Sequence, residues 1–283
     1  MIPAPGDVII RINGIYHYTY IPNGGLFMTL MWKEISEEPQ AVKNCLGKNR
    51  SLISEMAEKF RSSGIDNVMI AARGTSDHAG IYAKYIMEIE LGIPVALAAP
   101  SVFTVYGKKL KLGRTLVIGI SQSGKAADAL EVLKAANAAG AVTVSITNFP
   151  DSPLAVEAKY HLDCSAGLEK SVAATKTFIT QMTLLAALTA EWAGDKAFLE
   201  DINRIPGGIE EILNHSEYIK EKVQRYRYMN ECFVLARGTN YPIALETALK
   251  IQETCYVRAR AYATSDFYHG PYAMIEKNMP VFV

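Results

Sequence analysis

Thr115-Leu116-Val117-Ile118-Gly119-Ile120-Ser121-Gln122-Ser123-Gly124-Lys125-Ala126 is the stretch on which the reading of the chain turns. An uncharged, mostly aliphatic run meets two hydroxyls and a glycine, and a helical pattern begins at Lys125. That order predicts a buried strand ending in a polar loop at a helix N-terminus. Such a loop presents unpaired backbone N–H groups, the positive end of the helix dipole and hydroxyl donors, which together suit a phosphate dianion. Ser121 and Ser123 are the candidate hydroxyls, and Gly124 would let the backbone come close to the ligand. The same spacing also fits a plainer reading, in which Ser123 only caps the helix.

The 283 residues allow one large α/β domain or two of ordinary size, and 49% hydrophobic content is enough for a packed core. Net charge is zero, with 29 basic and 29 acidic residues, and no basic run is interleaved with aromatics. Nothing therefore points to nucleic acid or anionic lipid as a partner. Cys45, Cys164, Cys232 and Cys255 lie far apart in apolar segments. They read as core residues of a reducing, cytoplasmic compartment and show no metal-ligand spacing. No apolar run is long enough to span a bilayer.

Residues 1–27 mix prolines and glycines with short β-type pieces such as Val8-Ile9-Ile10, and read as an extension, with a hairpin as the alternative, before a helical pattern that starts at Met28. From Trp32 the pattern is helical, with a turn at Pro39 and an apolar face at Ile53, Met56, Ala57 and Phe60. A strand is expected over 67–72, a polar exit loop at Arg73-Gly74-Thr75-Ser76, a helix over 79–90 and a strand over 95–98. After the opening stretch come a helix over 125–139, strands over 141–147 and 161–164, and a long helix over 172–192. Strands alternating with helices imply a parallel sheet covered on both faces. Its ligand site should lie beyond the carboxyl ends of the strands, where the loops at 74–76 and 121–124 meet.

The second half repeats the first. Arg73-Gly74-Thr75 matches Arg237-Gly238-Thr239 at an offset of 237 − 73 = 164, and without a gap Val117-Ile118-Gly119 meets Val281-Phe282-Val283. The chain thus reads as two tandem flavodoxin-like α/β domains, 28–200 and 208–283, joined by a Pro206-Gly207-Gly208 linker. The second copy stops at the counterpart of residue 119. This predicts either a fragment with an open sheet edge and poor stability, or a sheet completed by something else.

The second copy carries Lys250 and Glu253, three apart and so on one helical face, followed by His269 before Gly270-Pro271. An amine, a carboxylate and an imidazole near one phosphate site could move protons between carbon and oxygen atoms of a sugar phosphate. An ordinary surface Lys–Glu pair with a turn histidine fits the same residues.

With Ser121-Gln122-Ser123-Gly124, Ala173-Ala174-Thr175-Lys176, Ala244-Leu245-Glu246 with Lys250 and Glu253, and His269-Gly270-Pro271 in that order, the chain resembles the double sugar-isomerase (SIS) domain family. That family includes the isomerase half of glucosamine-6-phosphate synthase. The run Arg73-Gly74-Thr75-Ser76-Asp77-His78-Ala79-Gly80, and Ala99-Pro100-Ser101 with Val105-Tyr106-Gly107-Lys108, look closer to SIS-type glucosamine-6-phosphate deaminases. The resemblance implies that Thr75, Ser76, Ser121, Gln122 and Ser123 hold the phosphate, that Gly74 and Gly124 belong to the same substrate site, and that Val172 and Ala173 line the sugar. Glu253 would then shuttle the proton between C1 and C2, His269 would open the ring in a neighbouring subunit, and Lys250 would assist. It further implies a homodimer with shared sites, no metal or organic cofactor, and a phosphorylated amino sugar as ligand. The expected reaction is deamination of glucosamine 6-phosphate to fructose 6-phosphate and ammonia. The alternatives are the isomerase part of a glutamine–fructose-6-phosphate aminotransferase, a deglycase of another phosphorylated sugar amine, and a non-catalytic sugar-phosphate sensor. Lys125 and Ala126 replace an acidic residue and a threonine of the synthase pattern, and residues 1–283 contain no counterpart of its lysine-bearing C-terminal tail; both make full activity less secure than the fold.

Overall fold

The computed structural model describes residues 7–12, 15–20 and 29–283. Strands β1 (Asp7–Ile12) and β2 (Ile15–Tyr20) form an antiparallel hairpin. The expected helical start at Met28 falls outside the described residues. Helix α1 (Leu30–Ser36) is capped by the Thr29 hydroxyl, which accepts the Trp32 N–H at 3.1 Å. Helix α2 (Glu38–Ser62) follows at once, with Pro39 in its first turn, where a missing N–H costs nothing.

The first copy alternates as the pattern requires: β3 (Asn67–Ala71), α3 (Thr75–Leu91), β4 (Val95–Leu97), α4 (Ser101–Thr104), β5 (Thr115–Ile120), α5 (Ala127–Ala138), β6 (Val142–Thr147), α6 (Pro153–Glu157), β7 (Tyr160–Asp163) and α7 (Lys176–Ala193). Its five parallel strands lie in the order β4-β3-β5-β6-β7. Strand β5 is buried along its whole length, as a central strand covered on both faces must be. On one face α2, α3 and α7 enclose Ile70, Met87, Ile118, Ile120 and Leu184, and on the other α5 and α6 enclose Val117, Leu133 and Leu154. Helix α7 is buried nearly all round. Its Thr180, Thr183 and Thr189 hydroxyls are satisfied within the helix, donating to the carbonyls of Thr177, Ile179 and Leu185.

Two boundaries differ from expectation. Thr75 and Ser76 belong to the first turn of α3 and not to a loop, and α7 begins at Lys176 and not at Val172. The Pro206-Gly207-Gly208 segment is no linker: it lies inside α8 (Lys196–Asn214), which is followed by α9 (Ser216–Val223). Phe198, Leu199, Ile202 and Ile205 pack against Ile86, Ala186 and Ala190, and that burial outweighs the lost hydrogen bond and poor helix propensity of a Pro-Gly-Gly interior.

The second copy consists of β8 (Glu231–Ala236), α10 (Tyr241–Cys255), β9 (Arg258–Ala263), α11 (Thr264–Phe267) and β10 (Val281–Phe282), with parallel strands in the order β10-β8-β9. That order matches β5-β3-β4, so the 164-residue offset holds in three dimensions. Even a helix terminus is repeated: α3 ends on Gly92 at φ 64°, and α10 ends on Tyr256 at φ 56°. Helix α10 packs on its own sheet and also on α3, which joins the two copies.

Candidate active site

Helices α3, α5 and α7 all begin at the carboxyl edge of the first sheet, and an open cavity of about 230 Å³ lies between them. Thr75 and Ser76 line it from α3, Ser121, Gln122 and Ser123 from the loop after β5, and Ala174 and Thr177 from the start of α7. Neither α3 nor α5 has a side-chain cap, so their first N–H groups are left for a ligand. Ser123 does not cap α5: its hydroxyl accepts the Lys125 N–H at 3.3 Å, and the cap position is Ala126. Arg73 stands at the same cavity, held by Asp128 of α5 at 2.7 Å. A larger cavity, about 310 Å³, opens between α2, α7 and α8 and is lined by none of the candidate catalytic or substrate-binding residues.

Gly124 is required for a reason other than access to a ligand. Its φ is +64°, and a Cβ there would lie 1.9 Å from Ser152 Oγ and 2.3 Å from Ser152 Cβ. The backbone at this point is also tied down, with Gly124 N–H donating to Ser121 O at 3.1 Å and Leu154 N–H donating to Gly124 O at 3.0 Å. Both the conformation and the space therefore demand glycine.

The second copy brings charged groups against Thr75 of the cavity lining without lining the cavity itself. Lys250 Nζ lies 2.5 Å from Glu253 Oε2, 3.2 Å from Glu246 Oε1 and 3.3 Å from Thr75 Oγ1. This is no solvated surface pair, because the Lys250 side chain is only 18% exposed. Glu246 is buried and accepts from Thr75 Oγ1 at 3.0 Å and from His78 Nδ1 at 2.7 Å. Burial alone would raise the Glu246 carboxyl, but the His78 bond, the Lys250 charge and the Thr75 hydroxyl hold it below its usual range. Neither Glu246 nor His78 was given a role from the sequence. The signal available was spacing: Glu246, Lys250 and Glu253 fall at i, i+4 and i+7, on one face of α10.

Other singled-out residues lie apart from this group. His269 is exposed after α11, with its backbone N–H on Asp266 O at 3.0 Å, and among the described residues its side chain bonds to neither Lys250 nor Glu253. Ala173 is buried, whereas Val172 is 98% exposed and Ala174 takes the place at the cavity. Lys125 is exposed, and Gly74 is the residue before α3, at φ 55°.

The loop that carries Ala173 and Ala174 is fixed by carboxylates. Glu169 accepts the Thr175 and Thr177 N–H groups at 2.9 and 3.3 Å, together with both threonine hydroxyls, and so caps α7 from five residues or more upstream. Buried Glu34 accepts the Lys170 and Ser171 N–H groups, and Lys176, 2% exposed, donates to Glu37 at 2.6 Å and to Leu168 O at 2.9 Å. No group of His, Cys, Asp and Glu among the described residues is arranged to hold a metal ion, and no described helix is long and apolar enough to cross a membrane.

Comparison with known proteins gives a consistent picture. The SIS domain family model matches residues 63–190 and 227–283. The glutamine–fructose-6-phosphate aminotransferase (isomerizing) of Aquifex aeolicus is 38% identical over 260 residues, which is 92% of this chain and 43% of that protein. The chain therefore spans less than half the length of the curated relative. Among solved structures, the C-terminal domain of glucosamine-fructose-6-phosphate aminotransferase from Francisella tularensis superposes with a TM-score of 0.77 at 31% identity, covering 90% of this chain and 75% of that one. Glucosamine-6-phosphate deaminase from Thermotoga maritima gives a TM-score of 0.72 at 24% identity, covering 89% and 76%, a likeness of fold alone.

Proposed function

Because this chain belongs to the SIS domain family, we propose that it performs the sugar-phosphate isomerisation of a glutamine–fructose-6-phosphate aminotransferase, with fructose 6-phosphate as its ligand. The observation that carries the reading is the Lys250–Glu253 pair reaching Thr75, itself a lining residue of a cavity edged by hydroxyls and helix N-termini. The phosphate would rest on the open N–H groups of α3 and α5 and on the hydroxyls of Thr75, Ser76, Ser121 and Ser123. Glu253, as a carboxylate, would take a carbon-bound proton next to the carbonyl and return it to the neighbouring carbon. Lys250 would donate to the oxygen that gains negative charge meanwhile. His269 would act in the site of a second subunit, in line with its exposure and its lack of a bond to Glu253.

Deamination of glucosamine 6-phosphate, the first reading of the sequence, is the second reading here. The run from Arg73 to Gly80 favours it, but the relative that covers nearly all of this chain at over a third identity is an aminotransferase, and the likeness to a deaminase is one of fold. The test is incubation of the protein with fructose 6-phosphate in D₂O. Deuterium entering at C1 or C2 with formation of glucose 6-phosphate supports isomerisation. Ammonia released from glucosamine 6-phosphate, without exchange into fructose 6-phosphate, would favour the deaminase, and tight binding with neither reaction would leave a sensor.

A further inference from the structure

Glu246 belongs to the second copy, yet both of its carboxylate oxygens are bound by groups at the start of α3 in the first. Oε2 takes the His78 Nδ1 contact at 2.7 Å, and Oε1 is shared by the Thr75 hydroxyl at 3.0 Å and the Lys250 ammonium at 3.2 Å. A carboxylate can only accept, so His78 Nδ1 carries the proton in this contact. Lys250 is thereby placed between two carboxylates on its own helix, Glu246 one turn before it and Glu253 one turn after. With Glu246 gone, the ammonium would be left to Glu253 alone, and a carboxylate fully neutralised by a lysine is a poor base. The geometry points to His78 and Glu246 as a positioning pair: His78 fixes the Glu246 carboxylate, and Glu246 shares the Lys250 ammonium with Glu253 and holds it against Thr75, so that Glu253 is not its sole counter-ion.

The surroundings leave few other candidates for this task. On the α3 side the charged neighbours are Asp77, whose carboxyl is raised by burial and partly relieved by His78 and Arg73, and Arg73 itself, which is engaged by Asp128. On the α10 side they are Lys250 and Glu253. Strands β8 and β9 turn an apolar cluster of Val234, Ala259 and Cys232 toward α10, and burial pushes the Cys232 thiol up, so no charge comes from that face.

The role assigned to the pair rests on the proposed proton transfer by Glu253, and the experiment separates the two. In Glu246→Gln the Lys250 ammonium loses the anion 3.2 Å away, so the resonance of its side-chain carbon next to the nitrogen shifts. This is read by NMR of ¹³C-labelled lysine in the full chain, whether or not turnover occurs. Turnover of fructose 6-phosphate should fall about tenfold in kcat with KM within about twofold. His78→Ala should show part of the same loss, and His78→Asn, which keeps a donor near the Nδ1 position, should recover most of it. An unmoved Lys250 resonance in a folded Glu246→Gln protein overturns the pair, as does a loss confined to KM. A wild type that exchanges no proton overturns the reaction instead, while the Lys250 resonance still decides the pair.

Discussion

Replacing Gly124 with alanine adds one carbon at the junction between the phosphate-type loop and α6. That carbon would sit 1.9 Å from Ser152 Oγ and 2.3 Å from Ser152 Cβ, with Thr147 Cγ2 at 3.3 Å. Ser152 cannot swing aside freely, because it is buried and its hydroxyl faces the Thr147 hydroxyl at 3.4 Å. The left-handed φ costs a residue with a Cβ about 1–2 kcal/mol, and overpacking a tight site costs about 1–3 kcal/mol. Together these predict a loss of about 2–5 kcal/mol, or a fall in melting temperature of roughly 5–15 °C for a chain of this size. Urea denaturation of four proteins measures it: the wild type, Gly124→Ala, Ser152→Gly and the double variant. Ser152→Gly removes both clashing atoms at a position where the serine side chain makes no capping bond, so alone it should cost little. In the double variant only the φ term should remain, a coupling above about 1 kcal/mol. A Gly124→Ala protein within about 0.5 kcal/mol of wild type, or a double variant no better than Gly124→Ala, would refute the steric account.

The remaining predictions are more compact. Tyr256 ends α10 at φ 56°, 89% exposed, where the first copy has Gly92, so Tyr256→Gly should stabilise the protein by about 0.5–1 kcal/mol in urea denaturation, and a loss would mean the tyrosine is held by contacts. Glu38 is pushed up to about 7, by burial first and by the Glu169 charge second. A carboxyl raised in the folded state binds its proton more tightly there, so its contribution is present below the unfolded value of 4.5 and is lost as pH rises through about 7. Stability should therefore drop by about 2–3 kcal/mol between those pH values in the wild type and much less in Glu38→Gln, and equal pH profiles would refute this. Ser123→Ala should raise KM about ten- to hundredfold through a lost charge-assisted phosphate contact, whereas Glu253→Gln should lower kcat about 10²- to 10⁴-fold with little change in KM; steady-state kinetics showing equal binding defects in both would mean the roles are misassigned.

The sheet was legible because its signals are local. Thr115–Ile120 is an uninterrupted apolar strand, and the repeat of Arg-Gly-Thr at 73 and 237 carries the strand order from one copy to the other. What could not be read depends on partners distant in sequence. The start of α7 is delayed because the Glu169 carboxylate takes the Thr175 and Thr177 amides, and no periodicity in 172–176 announces that. Pro206-Gly207-Gly208 has the composition of a break, and only the burial of Ile202 and Pro206 against the neighbouring helices keeps α8 continuous. Lys250 and Glu253 were found by spacing, but Glu246 and His78 are joined across 168 positions of sequence. The packing reason for Gly124 was not visible because Ser152, which fills the space, lies 28 residues away by 152 − 124.

The match between the copies stops at the face of α10 that carries the charges. At the same offset, Glu246, Lys250 and Glu253 correspond to Tyr82, Ile86 and Ile89 (246 − 164, 250 − 164 and 253 − 164). Ile86 is packed against Ala186, Ala190 and Ile202, where a lysine would be buried without a counter-ion. A duplication that began with two interchangeable halves has therefore become a one-way partnership. A chimera built from two first halves would keep the hydroxyl-lined cavity but would have an apolar helix face where Glu246, Lys250 and Glu253 stand. Sequence change in either half is then constrained by the other where α3 and α10 meet, at Thr75 and His78 on one side and Glu246 and Lys250 on the other.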